Sequence, residues 1–369
     1  MKLIVLRTNL LEGLGYLERA VGGNVNLPIL KSFLLKADEG KIVLSATNLE
    51  LAVRSIVPGK LMEKGELAIP FAIFNNIVKN LTSERITLEK KDKQLILSTD
   101  NYEALIQGQD PKEFPIIPSV HNLNKSLKIK SDTLRDVFAS VIVATQYSDI
   151  RPEISGVFFD LSNDELVLAA TDGFRLAERK VEANQIQSSL DNISLVIPLA
   201  TAEELLRVFS GKESEVEIFI DPNQILFKNA DKEITSRLVD GQFPDYKTII
   251  PKQVQNEVVV SRQELISAAK LISSFSGRGN DVTLKIGENK KFLELYSATS
   301  AVGENRYRVP IKMKGEKFSI IFNWRYLLDG LKVYKNDEIV LGVNTADKPT
   351  TIKSLSETNQ LYILMPIRA

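Results

Sequence analysis

Three copies of one pattern run along the chain, and this internal repeat limits the possible folds more than any single motif does. The segment KIVLSATNLELAVRSIV (41–57) returns as ELVLAATDGFRLAERKV (165–181) and, more weakly, as FLELYSATSAVGENRYRV (292–309). The threonines Thr47, Thr171 and Thr299 are 124 and 128 residues apart. We therefore expect three similar units of about 123 residues each.

Each unit alternates helix patterns with strand patterns. Apolar residues spaced by three and four predict a first helix in LRTNLLEGLGYLERAV (6–21), IKSDTLRDVFASVIVAT (129–145) and VSRQELISAAKLISSF (260–275). A second helix is predicted within GELAIPFAIFNNIVKNL (65–81), SLVIPLATAEELLRVF (194–209) and KFSIIFNWRYLLDGLK (317–332). The expected N-caps of the first helices are Thr8, Ser131 and Ser261. Segments such as 84–99 and 214–228 alternate with period two and predict antiparallel hairpins.

Two proline-rich phrases mark the boundaries between units. We name GQDPKEFPIIP (108–118) the first connector and DGQFPDYKTIIP (240–251) the second connector, because their prolines suit extended links. The predicted domains are 1–120, 121–253 and 254–369. The fold class is α+β, with three repeated domains that each combine antiparallel sheets with two helices.

The composition excludes several functional classes. Lys and Arg total 47, as do Asp and Glu, so a body that grips nucleic acid by net charge is excluded. The absence of cysteine excludes disulfides, thiolate nucleophiles and Cys-ligated metals. The one histidine, His121, is expected on the surface of a connection. With no nucleotide-binding, zinc-protease or calcium-loop motif, we expect no metal and no cofactor.

The apolar segments are short. Only four apolar residues precede Arg7 after the first two positions, too few for a signal segment, and no later stretch suits a spanning helix. We therefore expect a soluble, cytoplasmic protein without a membrane partner.

Five segments then suggest a family. They are LPILKSFLL (27–35), ATDGFRLA (170–177), FPDYKTIIP (243–251), FNWRYLLDGL (322–331) and YILMPIRA (362–369). In their order and spacing they resemble the bacterial DNA polymerase III beta subunit, the DNA sliding clamp. The resemblance covers the whole chain and implies a DNA clamp fold. It also implies a head-to-tail homodimer, in which two three-domain subunits form a six-domain ring around duplex DNA.

The resemblance further implies a processivity factor in DNA replication. Such a ring slides on duplex DNA regardless of sequence and tethers the replicative polymerase, without catalysis of its own. The polymerase, the clamp loader and repair proteins would bind a hydrophobic cleft through short linear motifs. An external ATP-driven loader would open the ring, since this chain has no nucleotide-binding motif.

The implied cleft lies between the second and third domains. Transferred motif by motif, its residues are Ile154, Thr171, Gly173, Phe174, Arg175, Leu176, Pro244, Thr248, Ile249, Asn323, Tyr326, Ile363, Leu364, Met365, Pro366, Ile367 and Arg368. Taken alone, residues 171–173 would be an ordinary turn and the C-terminus an edge strand ended by proline. The sequence departs from the common family pattern at Phe174, Thr248 and Ala369, so we expect partner preference to differ.

DNA contacts are expected from helix faces around the hole and from loops at its rim. The candidates are Arg7, Arg19, Lys79, Lys128, Arg135, Gln146, Tyr147, Arg151, Arg207, Lys212, Arg262, Lys270, Lys332 and Lys335. The alternative for each of them is an ordinary solvated side chain. Asn24 stands where the family often has a basic residue, and Pro152 and Glu153 stand where it can have aromatics.

The subunit contact is expected to join the first domain to the third domain of the partner. Ile73, Ile77 and Ile106 would face Leu271 and Ile272, because both helices carry more apolar residues than one core stripe needs. Core burial is the alternative.

Two other functional classes explain less of the sequence. An enzyme could use Asp172 as an acid, but no second carboxylate is tied to it. A repetitive scaffold without a DNA role would explain the repeats but not the five segments.

Overall fold

A computed structural model describes residues 1–23, 27–162, 165–209 and 214–368. Contacts between Cα atoms divide the chain into two compact units. Unit 1 comprises Met1–Asp132, Gln187–Leu190 and Glu203–Leu238. Unit 2 comprises Thr133–Ile186, Asp191–Ala202 and Val239–Ala369.

All six predicted helices are present. They are α1 (Arg7–Leu17), α2 (Phe71–Asn80), α3 (Ser131–Ile142), α4 (Leu199–Val208), α5 (Arg262–Ser273) and α6 (Trp324–Lys332). Ser261 is the N-cap of α5, as predicted, and its side chain accepts a hydrogen bond from the backbone N–H of Glu264. Thr8 is not an N-cap, because α1 continues directly from a strand and begins at Arg7, and Ser131 is the first residue of α3. Short 3₁₀ turns cover Pro28–Lys31, Pro111–Glu113, Pro152–Ile154, Ala183–Gln185 and Tyr246–Ile249.

Strands make up most of the remaining structure. In the first third they are β1 (Lys2–Leu6), β2 (Ser32–Asp38), β3 (Lys41–Thr47), β4 (Leu51–Val57), β5 (Gly59–Glu63), β6 (Gly65–Pro70), β7 (Arg85–Lys91), β8 (Gln94–Ser98) and β9 (Glu103–Gln107). The middle third has β10 (Leu127–Lys130), β11 (Gly156–Ser162), β12 (Glu165–Thr171), β13 (Arg175–Val181), β14 (Ile186–Ser188), β15 (Ile193–Pro198), β16 (Glu215–Asp221), β17 (Gln224–Lys228) and β18 (Lys232–Arg237). The last third has β19 (Asn256–Ser261), β20 (Asp281–Ile286), β21 (Phe292–Thr299), β22 (Gly303–Lys314), β23 (Ser319–Asn323), β24 (Glu338–Val343), β25 (Thr350–Ser354) and β26 (Gln360–Leu364).

The strands form three sheets in the described residues. The first has the order β5-β1-β7-β8-β9, and the second has the order β14-β10-β16-β17-β18-β4-β3-β2-β6. The third, in unit 2, has the order β15-β11-β12-β13-β26-β25-β24-β19-β22-β21-β20-β23. All paired strands with a described register are antiparallel, including the predicted hairpins β7–β8 and β16–β17. The α+β fold class is confirmed.

The backbone repeats the same bonds in each third of the chain. The first residue of the first helix donates its backbone N–H to the segment that follows the second helix. These bonds run from Arg7 to Glu84 O at 2.7 Å, from Ser131 to Ser214 O at 2.8 Å and from Arg262 to Asp337 O at 2.8 Å. The internal repeat of the sequence is therefore a repeat of structure.

Strands from different thirds pair with each other in the same way at two places, which we call junctions. In unit 1, β4 of the first third pairs with β18, the last strand of the middle third. In unit 2, β13 of the middle third pairs with β26, the last strand of the chain. Residues of the predicted middle domain therefore belong partly to unit 1 and partly to unit 2. The domain boundaries at 120 and 253 stay predictions.

Arg207 joins helices across the junction in unit 1. Its guanidinium donates to the carbonyl oxygens of Gly15 and Tyr16, in the last turn of α1, with the Tyr16 bond at 2.6 Å. It also forms an ion pair with Glu204, whose side chain is fully buried. Because a buried carboxylate is tolerated when it is paired, Arg207 stabilises both Glu204 and the end of α1.

We predict that Arg207→Ala destabilises the chain strongly. The change leaves Glu204 buried and unpaired and removes two hydrogen bonds from α1, which should cost about 3–5 kcal/mol. Urea unfolding followed by circular dichroism measures the loss. The double variant Arg207→Ala with Glu204→Gln is the control, and it should recover part of the stability because the buried charge is gone. Equal unfolding midpoints for wild type and Arg207→Ala would contradict the assignment.

Candidate functional site

A tight turn between β12 and β13 forms one wall of the candidate site. The hydroxyl of Thr171 donates to Arg175 O at 2.7 Å and accepts from the N–H of Gly173 at 3.1 Å. One carboxylate oxygen of Asp172 accepts from the N–H groups of Phe174 and Arg175 at 2.9 and 3.0 Å. Gly173 has φ +88°, a conformation that favours glycine. Four internal hydrogen bonds therefore hold the turn, and the Phe174 side chain remains exposed.

Arg175 anchors this turn to helix α6. Its guanidinium donates to Asp172 Oδ2 at 2.9 Å and to Asp329 Oδ2 at 2.6 Å, and it lies 4.2 Å from the centre of the Tyr326 ring. Burial opposes the charge, but Tyr362, Asp329 and Asp172 outweigh it and raise the pKa of Arg175. A cation held by two carboxylates and a ring face gives the site a rigid wall.

The C-terminal tail, residues 365–368, forms the opposite wall. It follows β26, in which Leu364 pairs with Arg175. The N–H of Met365 donates to Phe174 O at 2.9 Å, and the N–H of Ile367 donates to Ile321 O at 2.8 Å. Met365 and Pro366 are half-buried, whereas Ile367 and Arg368 are exposed.

Tyr362 supports the floor below the tail. Its hydroxyl donates to Tyr326 O at 2.9 Å, and burial raises the pKa of this phenol. Beside it, Leu176 and Ile363 belong to a buried cluster with Ala169, Tyr246 and Leu361. The floor is therefore apolar and closely packed.

The second connector lies against the same cluster. Phe243 stacks on Phe158 with 4.9 Å between ring centres, and the Tyr246 hydroxyl donates to Glu178 at 2.7 Å. Pro244, Thr248 and Ile249 are exposed beside these rings. The Thr248 hydroxyl donates to Asp245 O at 2.8 Å, which stabilises the 3₁₀ turn.

The structure brings most of the predicted cleft residues together, but in two layers. The side chains of Thr171, Leu176, Ile363 and Leu364 are buried and form the floor. Phe174, Pro244, Thr248, Ile249, Ile367 and Arg368 are exposed, and Arg175, Tyr326, Met365 and Pro366 lie between the two layers. Asn323 caps α6 by accepting from the N–H of Arg325 at 3.0 Å, so it positions Tyr326. Ile154 is buried, and Thr145 donates to its carbonyl oxygen at 2.9 Å. The neighbouring Arg151 Nη1 lies 3.8 Å from where a Cβ on Gly173 would stand.

The sequence does not identify the roles of three residues of the site. Asp172 and Asp329 accept hydrogen bonds from Arg175, and Tyr362 donates one to Tyr326 O. Asp329 follows Tyr326 by three residues and so shares its helix face, a spacing that was available in the sequence. The sequence suggests Asp172 only as a possible acid. Tyr362 opens the segment YILMPIRA, but nothing local shows that its hydroxyl reaches the backbone of α6.

Three of the predicted DNA-facing arginines donate to backbone carbonyls, two of them at a helix end and the third in the segment that follows α6. Arg7 donates to the carbonyl oxygens of Val78 and Lys79 at 3.0 and 2.9 Å. Arg262 donates to Asn336 O at 2.8 Å, and Arg207 bonds to the end of α1 as described above. These contacts give all three a structural role in the chain.

Other predicted DNA-facing residues form ion pairs. Arg19 pairs with Glu203, Lys79 with Glu18, Lys128 with Glu217, Arg151 with Glu153, Lys332 with Asp329 and Lys335 with Asp136. Lys128 lies on strand β10 rather than on a helix, and its pair with Glu217 raises its pKa. Gln146, Tyr147 and Lys270 are exposed, and Arg135 is half-buried on α3. Lys212, Asn24 and Ala369 lie outside the described residues.

The predicted subunit-contact residues separate into two groups. Ile73 and Leu271 are each 57% exposed, and Ile77 is half-buried. Ile106 and Ile272 are buried inside their own units, so they have no free surface to offer a partner. For these two the alternative of core burial applies.

Two further features concern metals and membranes. Within the described ranges, no three His, Asp or Glu side chains converge on a point that could hold a metal ion. No helix of the described chain has the length and apolar character needed to cross a membrane.

Comparison with known proteins gives matches along the whole chain. Profiles of the DNA polymerase III beta subunit match its N-terminal domain at 1–118, its central domain at 128–245 and its C-terminal domain at 247–368. The beta sliding clamp of Synechococcus elongatus is 29% identical over 374 residues, covering 100% of this chain and 99% of the relative. That of Staphylococcus aureus is 26% identical over 378 residues, with the same coverage.

Solved structures give the same result. The beta subunit of DNA polymerase III from Thermotoga maritima superposes with a TM-score of 0.91 at 28% identity. The DNA polymerase sliding clamp of Bacillus subtilis has a TM-score of 0.93 at 25% identity. Each comparison covers 100% of this chain and 99% of the other.

Proposed function

The chain belongs to the family of the DNA polymerase III beta subunit, and on that premise we propose that two copies close head to tail into a ring around duplex DNA. The protein is a sliding clamp, an accessory processivity factor of DNA replication without catalytic activity. The observation that supports the proposed ring is the junction between thirds. It occurs twice among the described strands, and the two strands that would form a third junction, β9 and the first part of β22, are not paired with each other.

The two internal junctions share one arrangement. In each, the strand that follows the turn beginning at Thr47 or Thr171 pairs with the last strand of the next third. Ala52 of β4 stands opposite Thr235 of β18, and Leu176 of β13 stands opposite Ile363 of β26. By the repeat, every third has two strands suited to pairing with a neighbouring third. One is the strand that follows the turn, and the other is the last strand of the third.

One edge of each kind has no partner in the described chain. The last strand of the first third is β9, which pairs only with β8. In the last third, the strand that corresponds to β4 is the first part of β22, residues 303–310, which pairs only with β21. Unpaired strand edges bind other strands, so a second copy can satisfy both.

The helices beside the junction specify the contact further. In unit 1, α4 meets the end of α1 through Arg207 and the carbonyl of Tyr16. By the repeat, Tyr16 corresponds to Leu271 on α5, and the helix that corresponds to α4 is α2. Leu271 would therefore meet α2 of the partner, where Ile73 and Ile77 lie. Its carbonyl also accepts from Asn305 Nδ2 at 3.0 Å, which ties α5 to the free edge of β22.

A heterologous contact that closes after two copies leaves no open end, so assembly stops at a ring. Duplex DNA threaded through the ring could slide but not leave sideways. Processivity then needs no tight grip on phosphates, which would slow sliding and depend strongly on salt. The balanced net charge of the chain and the ion pairs that its cations form, such as Arg19 with Glu203 and Lys79 with Glu18, support this proposal.

The site around Phe174, Arg175 and the tail would bind the partners. Its apolar floor suits apolar side chains of a short extended peptide, and Met365 adapts to different side-chain shapes. The replicative polymerase, the clamp loader and repair proteins would take turns at this cleft. A ring that encloses chromosomal DNA would act in the cytoplasm. The remaining DNA-facing candidates, such as Lys79 and Lys270, would line the hole.

The ring itself is tested by topology. With a matched clamp loader and ATP, the protein should stay on nicked circular DNA through a high-salt wash and be lost from the same DNA once linearised, because it can slide off the ends. Gel filtration of the protein–DNA complex measures retention. Equal retention on both substrates would mean ordinary site binding. Loss from both, while a known clamp loads, would favour the scaffold alternative.

The subunit contact is tested by charge. Leu271→Asp should weaken the dimer by about 10- to 100-fold, because it places an uncompensated charge in an apolar contact. Adding Ile73→Lys to the same chain should restore part of the affinity, since the two positions meet only across subunits. Leu123→Asp, at a residue that is 58% exposed, is the matched control. Sedimentation measures the masses, and a dimer unaffected by Leu271→Asp would contradict the proposed contact.

The cleft is tested with a peptide. A fluorescein-labelled pentapeptide with Gln first and Leu and Phe last should bind the wild type, and Met365→Ala with Ile367→Ala should raise its Kd about tenfold through lost apolar contact. Fluorescence anisotropy measures the Kd. Met62→Ala with Leu123→Ala, at exposed sites in unit 1, is the control, and sedimentation should show an intact dimer throughout. Unchanged affinity in the Met365/Ile367 variant would remove the cleft assignment.

A further inference from the structure

The two junctions differ in what covers the sheet beside them. The strands β2, β3 and β4 correspond to β11, β12 and β13 with an offset of 124 residues, and their pairing registers agree. A row of paired residues therefore has the same place in both units. In unit 2 the row is Phe158, Ala169, Glu178 and Leu361. In unit 1 it is Leu34, Ser45, Arg54 and Glu233.

The second connector covers its row. Between its Phe-Pro and its Ile-Ile-Pro it contains four additional residues, 245–248, that the first connector lacks. Among them is Tyr246, whose ring packs against Phe158 and Phe243. Its hydroxyl donates to Glu178, the third residue of the row.

The first connector leaves the corresponding place open. Unit 1 has a cavity of about 670 Å³ between the first connector and the sheet. Apolar side chains on its walls come from Leu34, Val43 and Ile56 on the strands and from Phe114, Ile116 and Ile117 on the connector. Ile116 is 92% exposed, an unusual state for an isoleucine in a chain segment packed on a sheet. A peptide side chain could occupy this space as Tyr246 does in unit 2.

The charged side chains that line the cavity favour an acidic occupant. Five basic side chains line it against three acidic ones. Arg54 stands where unit 2 has Glu178, so the polar group that meets the occupant is a donor instead of an acceptor. Arg54 and Lys228 share the single carboxylate of Glu233, at 3.4 and 3.0 Å.

Two lysines at the rim add free positive charge. Lys36 and Lys41 are exposed and line the cavity. Lys36 stands opposite Glu66 where β2 pairs with β6, yet neither lysine forms an ion pair with a carboxylate among the residues that the structure describes. An acidic segment would gain charge-assisted hydrogen bonds from these two lysines without breaking existing ion pairs, and it would share Arg54 with Glu233.

We propose that this cavity of unit 1 docks a short segment of a partner protein in which an aromatic residue is flanked by carboxylates. The aromatic ring would fill the space between Leu34, Val43 and Ile56, and the carboxylates would pair with Arg54, Lys36 and Lys41. This site is separate in sequence and chemistry from the cleft around Phe174, so a clamp subunit would offer partners two different peptide sites.

The test uses the full chain and the fluorescein-labelled peptide EDYDL. It should bind with a Kd that rises with salt concentration. Lys36→Glu with Lys41→Glu should raise the Kd at least about tenfold, because both changes replace attraction by repulsion. The peptide EDADL, without the ring, should lose about as much. Lys252→Glu with Lys353→Glu, at exposed lysines of unit 2, is the matched charge control.

A second variant separates shape from charge. Ile56→Trp fills the cavity while keeping every charge, and it should abolish binding of EDYDL; circular dichroism checks its fold. The cleft variant Met365→Ala with Ile367→Ala should leave EDYDL binding unchanged. If the cleft variant abolishes binding and the Lys36/Lys41 variant changes it less than about threefold, the peptide uses the cleft and the inference is overturned while the proposed function stands. Absence of binding to the wild type at 1 mM peptide (roughly −4 kcal/mol) also overturns it.

Discussion

Antiparallel pairing between strands of different thirds is the interaction on which this structure depends. An unpaired strand edge exposes a row of N–H and C=O groups, and pairing satisfies them. The chain does this at β4 with β18 and at β13 with β26. The first third is thereby paired with the middle third, and the middle third with the last. The same need at β9 and at the first part of β22 is what makes a second copy the natural partner. In the proposed ring, a repeated domain would lead to a closed assembly through one recurring pattern of backbone bonds.

The candidate cleft is a by-product of that pairing. Because β26 pairs with β13, the tail must pass beside the turn that begins β13, and Met365 bonds to Phe174 O. Arg175 then fixes the turn to α6 through Asp329. Backbone bonds and one buried cation therefore set the walls, and the exposed side chains of Phe174 and Ile367 are free to vary without loss of the frame. We therefore expect the departure from the family pattern at Phe174 to affect partner preference more than fold.

Much of the fold could be predicted from the sequence because the signals were local and repeated. The helix periodicity placed all six helices, and the Thr repeat placed corresponding strands. What could not be predicted arises from tertiary contact. Arg7, Arg207 and Arg262 resemble solvated charges in the sequence, since nothing local shows that each donates to a backbone carbonyl far away in the chain. Ile272 resembles a surplus apolar residue in the sequence, but it belongs to the buried face of α5. Ile106 lies on strand β9 rather than on a helix, and its side chain is buried there. Thr8 lost its expected role because a strand feeds α1 directly.

The two connectors show how duplicated units diverge while their frame stays fixed. The turn at 47–51 repeats the turn at 171–175, with the Thr47 hydroxyl donating to Leu51 O at 3.0 Å and Leu49 at φ +79° where Gly173 has +88°. A leucine tolerates that conformation only at a cost, which shows how strongly the surrounding strands impose the turn. Backbone geometry is thus common to both junctions, and the difference lies in side chains and in four connector residues. In unit 2 these residues cover the sheet with Tyr246; in unit 1 their absence leaves basic side chains around an open apolar space. Because the strands keep the same registers while the connectors that cover them differ, one chain presents two surfaces of different chemistry.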